Sequence, residues 1–540
     1  MKGHSMILTR TLIAASLLIA RPALAQGDTP HIETKAGRHA LIVDGAPFLM
    51  LGGQVNNSSN YAAPLEKVWA TLDRIGANTV EAPIAWEQLE PREGQFDYSF
   101  VQTLLDEARK HDKRIVLLWF GAWKNTGLAY TPDWVKLDNR RFPRMKTKDG
   151  ADHGVLSPHG VATLAADKRA FLALMAYIRD HDTQNTVILV QPENEVGSYR
   201  NPRDYSPAAQ KLFDGPVPAA LTKMLKKSAG NWATVFGDQA DRAFNTWHTA
   251  RYIEELAKAG KAIKPLPMYV NAALGDPFAK PDPMALSSGG PQGDVIDIWK
   301  VAAPSIDFAA PDIYDRASRN VFRHLDLYTR PDNALMVPEI GNAAEYARYF
   351  WAALGRGAIG FAPFGMDDTG YFNYPLGAKG FDDRTLDAFA AKYRVVASAP
   401  WARIAFEHPV WGAARPDDGA AVGTTMGDWT ITASFGQWQF GQREWFPKAD
   451  LPAWASEPTG GTVVAQLSAD EFLLTGDHVR LNFAPRDGSA PGGMIVKVEE
   501  GHFDKGVWVM DRIWNGDQTD YGLNLIDQPV WIKVTMGRYR

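Results

Sequence analysis

The feature that most limits how this chain can fold is a strand, loop and helix pattern repeated between about residues 35 and 395. Helical periodicity is present over 65–76, which ends at the helix-capping Gly76, and over 100–112, 168–182, 242–260 and 343–357. Apolar runs before and between these helices have the length expected of buried strands. The eight predicted strands cover residues 48–51, 78–87, 114–123, 186–195, 266–274, 306–315, 334–342 and 358–368.

Eight alternating β/α units predict an α/β protein with a (β/α)8 TIM barrel. The repeated region is longer than the roughly 250 residues of a typical barrel, so insertions are expected in its loops. A doubly wound open sheet is the competing arrangement. It is less favoured because no predicted strand is followed by the glycine-rich phosphate turn G-x-G-x-x-G.

Beyond residue 395 the pattern changes to short segments that alternate apolar and polar residues between Gly, Asp and Pro turns. This predicts a smaller C-terminal antiparallel β-sandwich domain over 396–540, after a catalytic barrel over 26–395. Two roles for the C-terminal domain are equally compatible with the sequence. It either packs on the barrel as a structural appendage or binds sugar through Trp429, Trp438 or Trp445.

Residues 1–25 have the pattern of a cleaved secretory signal peptide. Lys2 and Arg10 precede an apolar stretch that ends at Ala23-Leu24-Ala25. A membrane anchor is the alternative, but the apolar stretch is shorter than the roughly 20 residues that a spanning helix needs. We therefore expect export, to the bacterial periplasm or the medium, with no integral membrane segment after cleavage.

Composition excludes several classes of function. The 540 residues include no cysteine, which rules out disulfides, thiolate catalysis and cysteine metal sites. The formal net charge is −5, and it becomes −8 without residues 1–25. An acidic protein of this kind has no electrostatic basis for binding nucleic acid.

Polar and aromatic side chains gather where the predicted strands end, which is the face that carries the active site in TIM barrels. Carboxylates and amides bind hydroxyl groups, and aromatic rings cover the apolar faces of sugars, so the set suits a hydroxyl-rich ligand. The strand-end residues are Gln54, Asn56, Asn57, Trp86, Glu87, Trp119, Trp123, Asn194, Glu195, Asn271, Asp312, Tyr314, Asp315, Glu339, Asn342, Phe364, Asp367 and Asp368.

Glu195 and Glu339 stand out because each terminates a mostly apolar strand, the fourth and the seventh. Strands that far apart in an eight-stranded ring allow the two side chains to face each other. Glycoside hydrolysis with retention uses such a pair about 5–5.5 Å apart, one acid protonating the leaving oxygen and the other attacking the anomeric carbon. Either glutamate taken alone could instead be a structural carboxylate that caps a neighbouring helix.

Three segments carry a resemblance to a known family. "QPENEVG" (191–197) resembles the Q-x-E-N-E-Y-G motif of the glycoside hydrolase family 35 β-galactosidases, and "VPEIGN" (337–342) is similar to the nucleophile strand of the same clan A. The segment from residue 78, "NTVEAPIAWEQLEPREGQFDYS", resembles the second-strand segment of family 35 and also that of family 42. Val196 replaces the usual tyrosine, and Gln88-Leu89 stands where the family often has a residue followed by histidine.

The resemblance implies a retaining exo-β-galactosidase that removes terminal non-reducing β-D-galactosyl residues by double displacement. It implies that Glu195, preceded by Asn194, is the acid/base and that Glu339 is the nucleophile. Asn194 is then expected to bind the sugar 2-hydroxyl. Tyr314 is expected to hold Glu339 by a hydrogen bond, although a core tyrosine is nearly as compatible with the sequence.

Further interpretations concern the remaining strand ends. Glu87, Asn271 and Asn57 are candidates for other sugar hydroxyls, and Trp119 or Trp123 for a stacking platform. Glu193 is expected to support a neighbouring strand end. No cofactor is expected and no metal, because the twelve histidines show no H-E-x-x-H spacing.

Two alternatives to β-galactoside hydrolysis stay open at this point. One is another clan A retaining glycosidase, acting on β-glucosides, β-glucuronides or α-L-arabinopyranosides. The other is a non-catalytic glycan-binding protein, although the presence of both acids favours catalysis. The expected partner is a carbohydrate, and by analogy a galactose on a plant hemicellulose side chain.

Overall fold

The computed structural model describes residues 28–436, 452–488 and 492–539. The predicted signal peptide and two of the three tryptophans considered for sugar binding, Trp438 and Trp445, lie outside these ranges. Among the described residues, no helix combines the length and the apolar character needed to cross a membrane.

An antiparallel sheet of three strands opens the described chain: β1 (His31–Lys35), β2 (Arg38–Val43) and β3 (Ala46–Phe48). Leu41 and Val43 of β2 belong to the same buried cluster as Val116 and Phe308 from inside the barrel. The Arg114 guanidinium, at the start of a barrel strand, donates a hydrogen bond of 2.5 Å to Asp44. The sheet therefore closes the N-terminal end of the barrel.

The barrel predicted from the sequence is confirmed. Eight parallel strands form one sheet, and Val190 N donates to Pro267 O at 3.1 Å, which joins the two ends of the sheet into a ring. A short antiparallel hairpin is inserted between the third and fourth barrel strands. In chain order the strands are β4 (Met50–Gln54), β5 (Thr79–Ala85), β6 (Arg114–Phe120), the hairpin β7 (Arg144–Lys146) and β8 (Asp152–Leu156), then β9 (Val187–Pro192), β10 (Tyr269–Ala273), β11 (Phe308–Ile313), β12 (Met336–Ile340) and β13 (Gly360–Pro363).

Helices surround the barrel at the predicted places. The first ends at Gly76, whose left-handed backbone (φ 73°) lets its N–H reach the carbonyl groups of Asp73 and Leu72. The helices are α1 (Ala62–Ile75), α2 (Trp86–Leu89), α3 (Ser99–Lys110), α4 (Asp133–Lys136), α5 (Val161–His181), α6 (Pro207–Asp214), α7 (Ala219–Met224), α8 (Trp232–Phe236), α9 (Ala240–Ile263), α10 (Ile296–Ala302), α11 (Ser318–Tyr328), α12 (Tyr349–Leu354), α13 (Asp383–Ala397) and α14 (Trp401–Glu407).

The C-terminal region forms two antiparallel sheets that share a buried cluster including Trp429, Val464 and Ile532. This confirms the predicted sandwich. One sheet has the order β14-β17-β18-β23-β20-β21 and the other β15-β16-β19-β22. The strands are β14 (Val410–Ala414), β15 (Val422–Met426), β16 (Trp429–Phe435), β17 (Gly461–Gln466), β18 (Glu471–Asp477), β19 (Val479–Pro485), β20 (Gly493–Asp504), β21 (Val507–Trp514), β22 (Leu523–Leu525) and β23 (Trp531–Arg538).

Trp429 is a core residue of the sandwich. Its side chain is fully buried, and its ring N–H donates to Asp470 at 2.8 Å. A ring covered in this way cannot bind sugar, so that interpretation of Trp429 is wrong.

The sandwich packs against the last helices of the barrel. Trp351 of α12 donates to one oxygen of Asp477 at 2.5 Å, and Lys392 of α13 donates to the other at 2.9 Å. Close backbone packing accompanies these contacts, because a Cβ atom added at Gly412 of β14 would lie 2.2 Å from the Trp351 carbonyl oxygen. The boundary predicted after residue 395 falls in the last turn of α13.

Candidate active site

A cavity of about 890 Å³ opens at the C-terminal ends of the barrel strands. Its volume is within the range of roughly 300–1,000 Å³ that small-molecule sites occupy. Residues at or shortly after the ends of seven of the eight strands line it. They include Asn57, Lys124, Glu195, Ala273, Asp312, Glu339 and Phe364.

Glu195 reaches this cavity through a sharp turn that follows β9. Glu193 (φ 65°), Glu195 (φ 44°) and Gly197 (φ 117°) all have left-handed backbone conformations. Such conformations are costly for residues other than glycine and are found where surrounding contacts enforce them. Here the Glu195 N–H donates to Asn271 Oδ1 at 2.9 Å, and the Glu195 carbonyl accepts from Thr126 N at 3.1 Å.

Glu339 ends β12 and accepts three hydrogen bonds. Tyr314 OH donates to its Oε2 at 2.6 Å, while Gln54 Nε2 and Asn194 Nδ2 donate to its Oε1 at 2.9 and 3.3 Å. The predicted hydrogen bond from Tyr314 is thereby confirmed. These three donors satisfy the carboxylate oxygens of Glu339 and fix their orientation.

The Glu195 carboxyl has a different environment. One oxygen each of Glu195, Asp312 and Glu339 lies within 4.8 Å of the others. Burial, followed by the negative charge of Glu339, raises the pKa of Glu195 to about 7, against a smaller opposite effect of Lys124. Near neutral pH the Glu195 carboxyl can therefore hold a proton.

Asp312 is a third acid between these two. It is buried, and its Oδ2 accepts from Asn271 Nδ2 at 2.7 Å, while Oδ1 has no hydrogen-bond partner within the described ranges. Burial and the charges of Glu339 and Glu195 raise its pKa well above the usual value. Three carboxyls this close in a buried site do not all ionise together near neutral pH.

Asn194 and Asn271 hold the acids in place. Asn194 Oδ1 accepts a hydrogen bond of 2.7 Å from the buried Lys124 ammonium, and Asn194 Nδ2 donates to Glu339. Asn271 joins the Glu195 backbone to Asp312. Both asparagines are almost fully buried, and Asn271 is outside the cavity lining with its amide bound to Glu195 and Asp312, so its predicted contact with a sugar hydroxyl is wrong. Asn57, another predicted sugar ligand, lines the cavity directly.

The two tryptophans predicted as stacking platforms are not at the cavity. Trp119 is fully buried on the outer side of β6 and donates to Asp167 of α5 at 2.9 Å. Trp123 is equally buried and packs edge-on against Tyr252 of α9. Neither ring has a free face, so the prediction is wrong. Both belong to the layer between strands and helices.

Glu87 also lies away from the cavity lining. It is in α2, after the end of β5, and its carboxylate pairs with Lys136 at 2.6 Å. The predicted contact with a sugar hydroxyl is therefore wrong, because the carboxylate is paired with Lys136 and is not part of the cavity lining.

Glu193 supports a neighbouring strand end, as predicted. Its two carboxylate oxygens accept from the backbone N–H groups of Ala122 and Trp123 at 3.0 and 2.7 Å. These contacts tie the turn after β9 to the segment after β6. Burial and the neighbouring Asp167 raise the pKa of Glu193 well above the usual value.

Several residues at the site were not assigned a role from the sequence. Gln54 and Asp312 are recognisable in the sequence as residues at strand ends. The sequence does not show which neighbouring side chains they contact. Lys124 lies beyond the predicted third strand. Glu81 was detectable as a charge inside an apolar strand; it is fully buried, and burial and the charge of Glu339 raise its pKa well above the usual value.

The carboxylates of Glu195, Asp312 and Glu339 are the one cluster in the described part of the chain with the spacing of metal ligands. Oxygen ligands of this kind suit a hard divalent cation. Glu339 already accepts three hydrogen bonds, and Lys124 places a positive charge nearby. Both features match proton chemistry better than cation binding.

Comparison with known proteins gives two separate likenesses. Residues 62–262 match the glycoside hydrolase 42 family model, which is described as beta-galactosidase. Residues 389–526 match a domain of unknown function. A beta-galactosidase from Xanthomonas manihotis is 26% identical over 222 residues, which cover 39% of this chain and 34% of the relative.

Solved structures with a similar fold include enzymes of different specificity. A beta-galactosidase from the haloarchaeon Halorubrum lacusprofundi is 16% identical, with a TM-score of 0.48 over 64% of this chain and 58% of that one. The beta-galactosidase of Bacillus circulans sp. alkalophilus is 13% identical (TM-score 0.47; 65% and 56% covered). An exo-beta-1,4-mannosidase from Opitutaceae bacterium strain TAV5 is 14% identical (TM-score 0.43; 68% and 62% covered).

These identities are too low to transfer an activity. The family likeness covers Glu195 and ends before Glu339. It concerns the family 42 model, so the resemblance to family 35 in particular is not confirmed. The chain is thus similar to beta-galactosidases over the first half of its barrel and to a domain of unknown function over its sandwich.

Proposed function

We propose that this protein is a retaining exo-β-galactosidase that hydrolyses terminal β-D-galactosyl residues of oligo- or polysaccharides. The observation that carries the proposal is the pair Glu195 and Glu339, with carboxylate oxygens within 4.8 Å in one cavity and with opposite environments. A spacing of about 5–5.5 Å is typical of retaining glycosidases, whereas inverting enzymes hold their acids about 6.5–9.5 Å apart.

In the first step Glu195 donates its proton to the glycosidic oxygen while Glu339 attacks the anomeric carbon. The bond between that carbon and the leaving oxygen breaks, and an ester bond to Glu339 forms. A pKa of about 7 suits the donor, since the acid is then protonated near neutral pH and transfers its proton readily. The hydrogen bonds from Tyr314, Gln54 and Asn194 orient the attacking carboxylate.

In the second step the carboxylate of Glu195 takes a proton from water. The water oxygen attacks the anomeric carbon, and the ester bond breaks to return Glu339 as a carboxylate. We assign Asn194 to the sugar 2-hydroxyl. Its amide already lies beside Glu339, and a contact that strengthens at the transition state accelerates the reaction more than one that only binds substrate.

The choice of galactose as the sugar rests on sequence similarity to beta-galactosidases. The family 42 match over 62–262 and the relative described as beta-galactosidase both favour it. The motif at 191–197 resembles that of family 35, and the motif at 337–342 resembles the nucleophile strand of the same clan A. Release of terminal residues is favoured by the insertion that follows β9. Its first residues pair with the segment after β10 through Ser198 and Ser288, and the adjacent Tyr199 lines the cavity.

Export remains part of the proposal and rests on the pattern of residues 1–25. The expected setting is the periplasm or the medium, where a galactose on a plant hemicellulose side chain is a suitable natural target. Detection of mature protein that begins at Gln26 in a periplasmic or culture fraction tests this part.

A panel of nitrophenyl glycosides tests the sugar. We expect hydrolysis of the β-galactoside in preference to the β-glucoside, the β-glucuronide and the α-L-arabinopyranoside. Preference for one of the other sugars would replace galactose and retain the mechanism. Failure to hydrolyse any of them, together with binding to a glycan array, would instead indicate a non-catalytic binder.

The nucleophile is tested with Glu339→Gly. This variant should lose hydrolysis and regain turnover of an activated aryl galactoside when azide is added, giving a glycosyl azide of inverted configuration. Glu193→Gly is the matched control at a glutamate outside the reacting pair, and azide should not accelerate it. Absence of rescue at Glu339 would refute the assignment.

A further inference from the structure

Two tyrosines line the cavity with their rings unused by the protein. Tyr199 is 39% exposed and Tyr371 is 62% exposed, and neither ring has an aromatic or cation partner among the described residues. Other aromatic rings in the loop of Tyr371, which follows β13, already have partners within the protein. Phe372 packs against Phe381, and the Lys379 ammonium lies over the ring of Tyr374. Exposed rings at a cavity are available to a ligand.

Tyr199 is held in place from its backbone. On one side of it, Ser198 and Ser288 exchange two hydrogen bonds of 2.9 Å. On the other, Arg200 N donates to Met284 O at 3.2 Å. The Tyr199 carbonyl oxygen also contacts His153 Nε2 of the β7–β8 hairpin at 3.0 Å. Because the backbone of Tyr199 is already fixed, only its side-chain rotations remain to be ordered when a ligand binds.

The position of Tyr199 indicates which part of a substrate it would contact. It follows Glu195 by four residues, and burial together with the charges of Glu195 and Asp312 raises its pKa to about 12. The ring is therefore close to the proposed proton donor and its hydroxyl stays neutral. A general acid lies beside the leaving oxygen, so the group attached to that oxygen occupies the same side of the cavity.

We propose that Tyr199 and Tyr371 form a binding site for the leaving group and that this group is a second pyranose ring. The inference rests on the proposed glycosidase function and extends it to the preferred substrate, a galactosyl saccharide rather than a galactoside of a small alcohol. The apolar C–H face of a sugar ring packs on the face of a tyrosine, and the phenol hydroxyl can bind a sugar hydroxyl. The 890 Å³ cavity has room for more than the galactose alone.

The test compares two substrates that differ only in the leaving group. Methyl β-D-galactoside has an alcohol without a ring, whereas a β-1,4-linked galactosyl-glucose disaccharide has a pyranose at the same oxygen. Both need a proton from Glu195, so the ratio of their kcat/KM values isolates the second ring. For Tyr199→Ala the ratio of disaccharide to methyl galactoside should fall about tenfold, corresponding to the loss of one stacked ring.

Matched variants separate stacking from other effects. Tyr199→Phe retains the ring and should keep most of the ratio, and Tyr371→Ala should lower it in the same direction. Tyr61→Ala removes a tyrosine that is 52% exposed and outside the cavity lining, so its ratio should equal that of the unaltered protein. Thermal unfolding of each variant checks that the fold is retained.

The possible results are distinguishable. A wild-type ratio in Tyr199→Ala and Tyr371→Ala would overturn the leaving-group site while leaving the glycosidase intact. An equal fall for both substrates in Tyr199→Ala would also overturn it, since the ring would then act on galactose or on Glu195. If the unaltered protein hydrolyses neither substrate and no aryl galactoside, the proposed function itself fails.

Discussion

The protonation of Glu195 is controlled by two separate causes, and they can be separated experimentally. Burial is the larger one and the negative charge of Glu339 the second. Because the proposed first step requires the protonated acid, kcat/KM should fall as the pH rises through about 7. A pH profile of kcat/KM with an aryl galactoside whose phenol is a poor leaving group measures this decrease.

Removal of the charge on Glu339 should lower the pKa of Glu195. In Glu339→Gln the coulombic contribution is absent but burial remains, so we expect a value between that of an ordinary glutamate and about 7. Carbon-13 NMR titration of labelled glutamate measures it in the inactive protein. An unchanged or higher pKa would show that the charge of Glu339 has no part in holding the proton.

The hydroxyl of Tyr314 should matter for rate rather than for folding alone. Tyr314→Phe removes the 2.6 Å hydrogen bond to Glu339 and leaves the ring in place, and we expect kcat to fall about 10²-fold. Tyr177→Phe is the control, because it removes a hydroxyl of α5 that donates to Gln102 Oε1 of α3 at 2.7 Å, in the outer helical layer. If both variants lose activity equally, the effect belongs to stability and not to Glu339.

The three carboxylates also give a prediction about metals. If Glu195 is the proton donor and Glu339 the nucleophile, with Asp312 as an adjacent carboxyl, the reaction needs no metal. Prolonged treatment with a chelator should then leave kcat unchanged. Loss of activity that is restored by a divalent cation would mean that the cluster binds that cation and would contradict the proposed roles.

At the scale of elements, the sequence predicts which strands and helices form but not which face of a strand points into the barrel interior. Val116, Leu118 and Phe120 of β6 belong to the cluster inside the barrel, while Ile115, Leu117 and Trp119 belong to the outer one. Both faces are apolar because a parallel barrel is covered on both sides. For that reason the strand pattern alone does not predict that Trp119 lies in the outer layer, whereas the polar Glu339 is unsuited to that layer and is predicted at the cavity.

Turns impose a second limit on prediction. The left-handed conformations of Glu193 and Glu195 rotate successive side chains into different directions, which the alternation of a regular strand does not anticipate. The supporting role predicted for Glu193 is confirmed, although its strand parity with Glu195 also allowed it to face the cavity. Asp312 received no role because its importance arises from spatial neighbours more than 25 residues away along the chain.

The contact between α12 and β14 gives a prediction at this scale. In Gly412→Ala the new Cβ would lie 2.2 Å from the Trp351 carbonyl oxygen and 2.9 Å from Gly355 Cα, so backbone atoms must move apart. We expect a loss of about 1–3 kcal/mol of stability, as is typical of overpacking. Gly154→Ala in β8, where a Cβ would meet no atom within 4 Å, is the control and should unfold at the wild-type temperature.

At the scale of the whole molecule, the barrel and the sandwich share one core. A single buried cluster contains Phe350 and Tyr393 from the barrel helices together with Val463 and Trp531 from the sandwich. Trp531 also donates to the Val395 carbonyl oxygen at 2.8 Å. The packed interface supports the reading of the sandwich as an appendage that stabilises the barrel.

This shared core predicts cooperative unfolding. Calorimetry should give one transition, because exposure of either part uncovers apolar surface of the other. Asp477→Ala leaves the Lys392 ammonium buried without its carboxylate, so the temperature of the single transition should fall. The expected loss in free energy of unfolding is about 3–5 kcal/mol, as is typical of a broken buried ion pair. Two resolved transitions in the unaltered protein would contradict the inference.

The arrangement of the cavity has a consequence for redesign. Its acids extend from barrel strands or are bound to strand residues, whereas Tyr199 and Tyr371 lie farther along the loops that follow β9 and β13. Libraries limited to these loop positions can therefore vary the accepted saccharide while the bond-breaking groups keep their geometry. Selection on linkage preference and selection on turnover would then act on different residues of one chain.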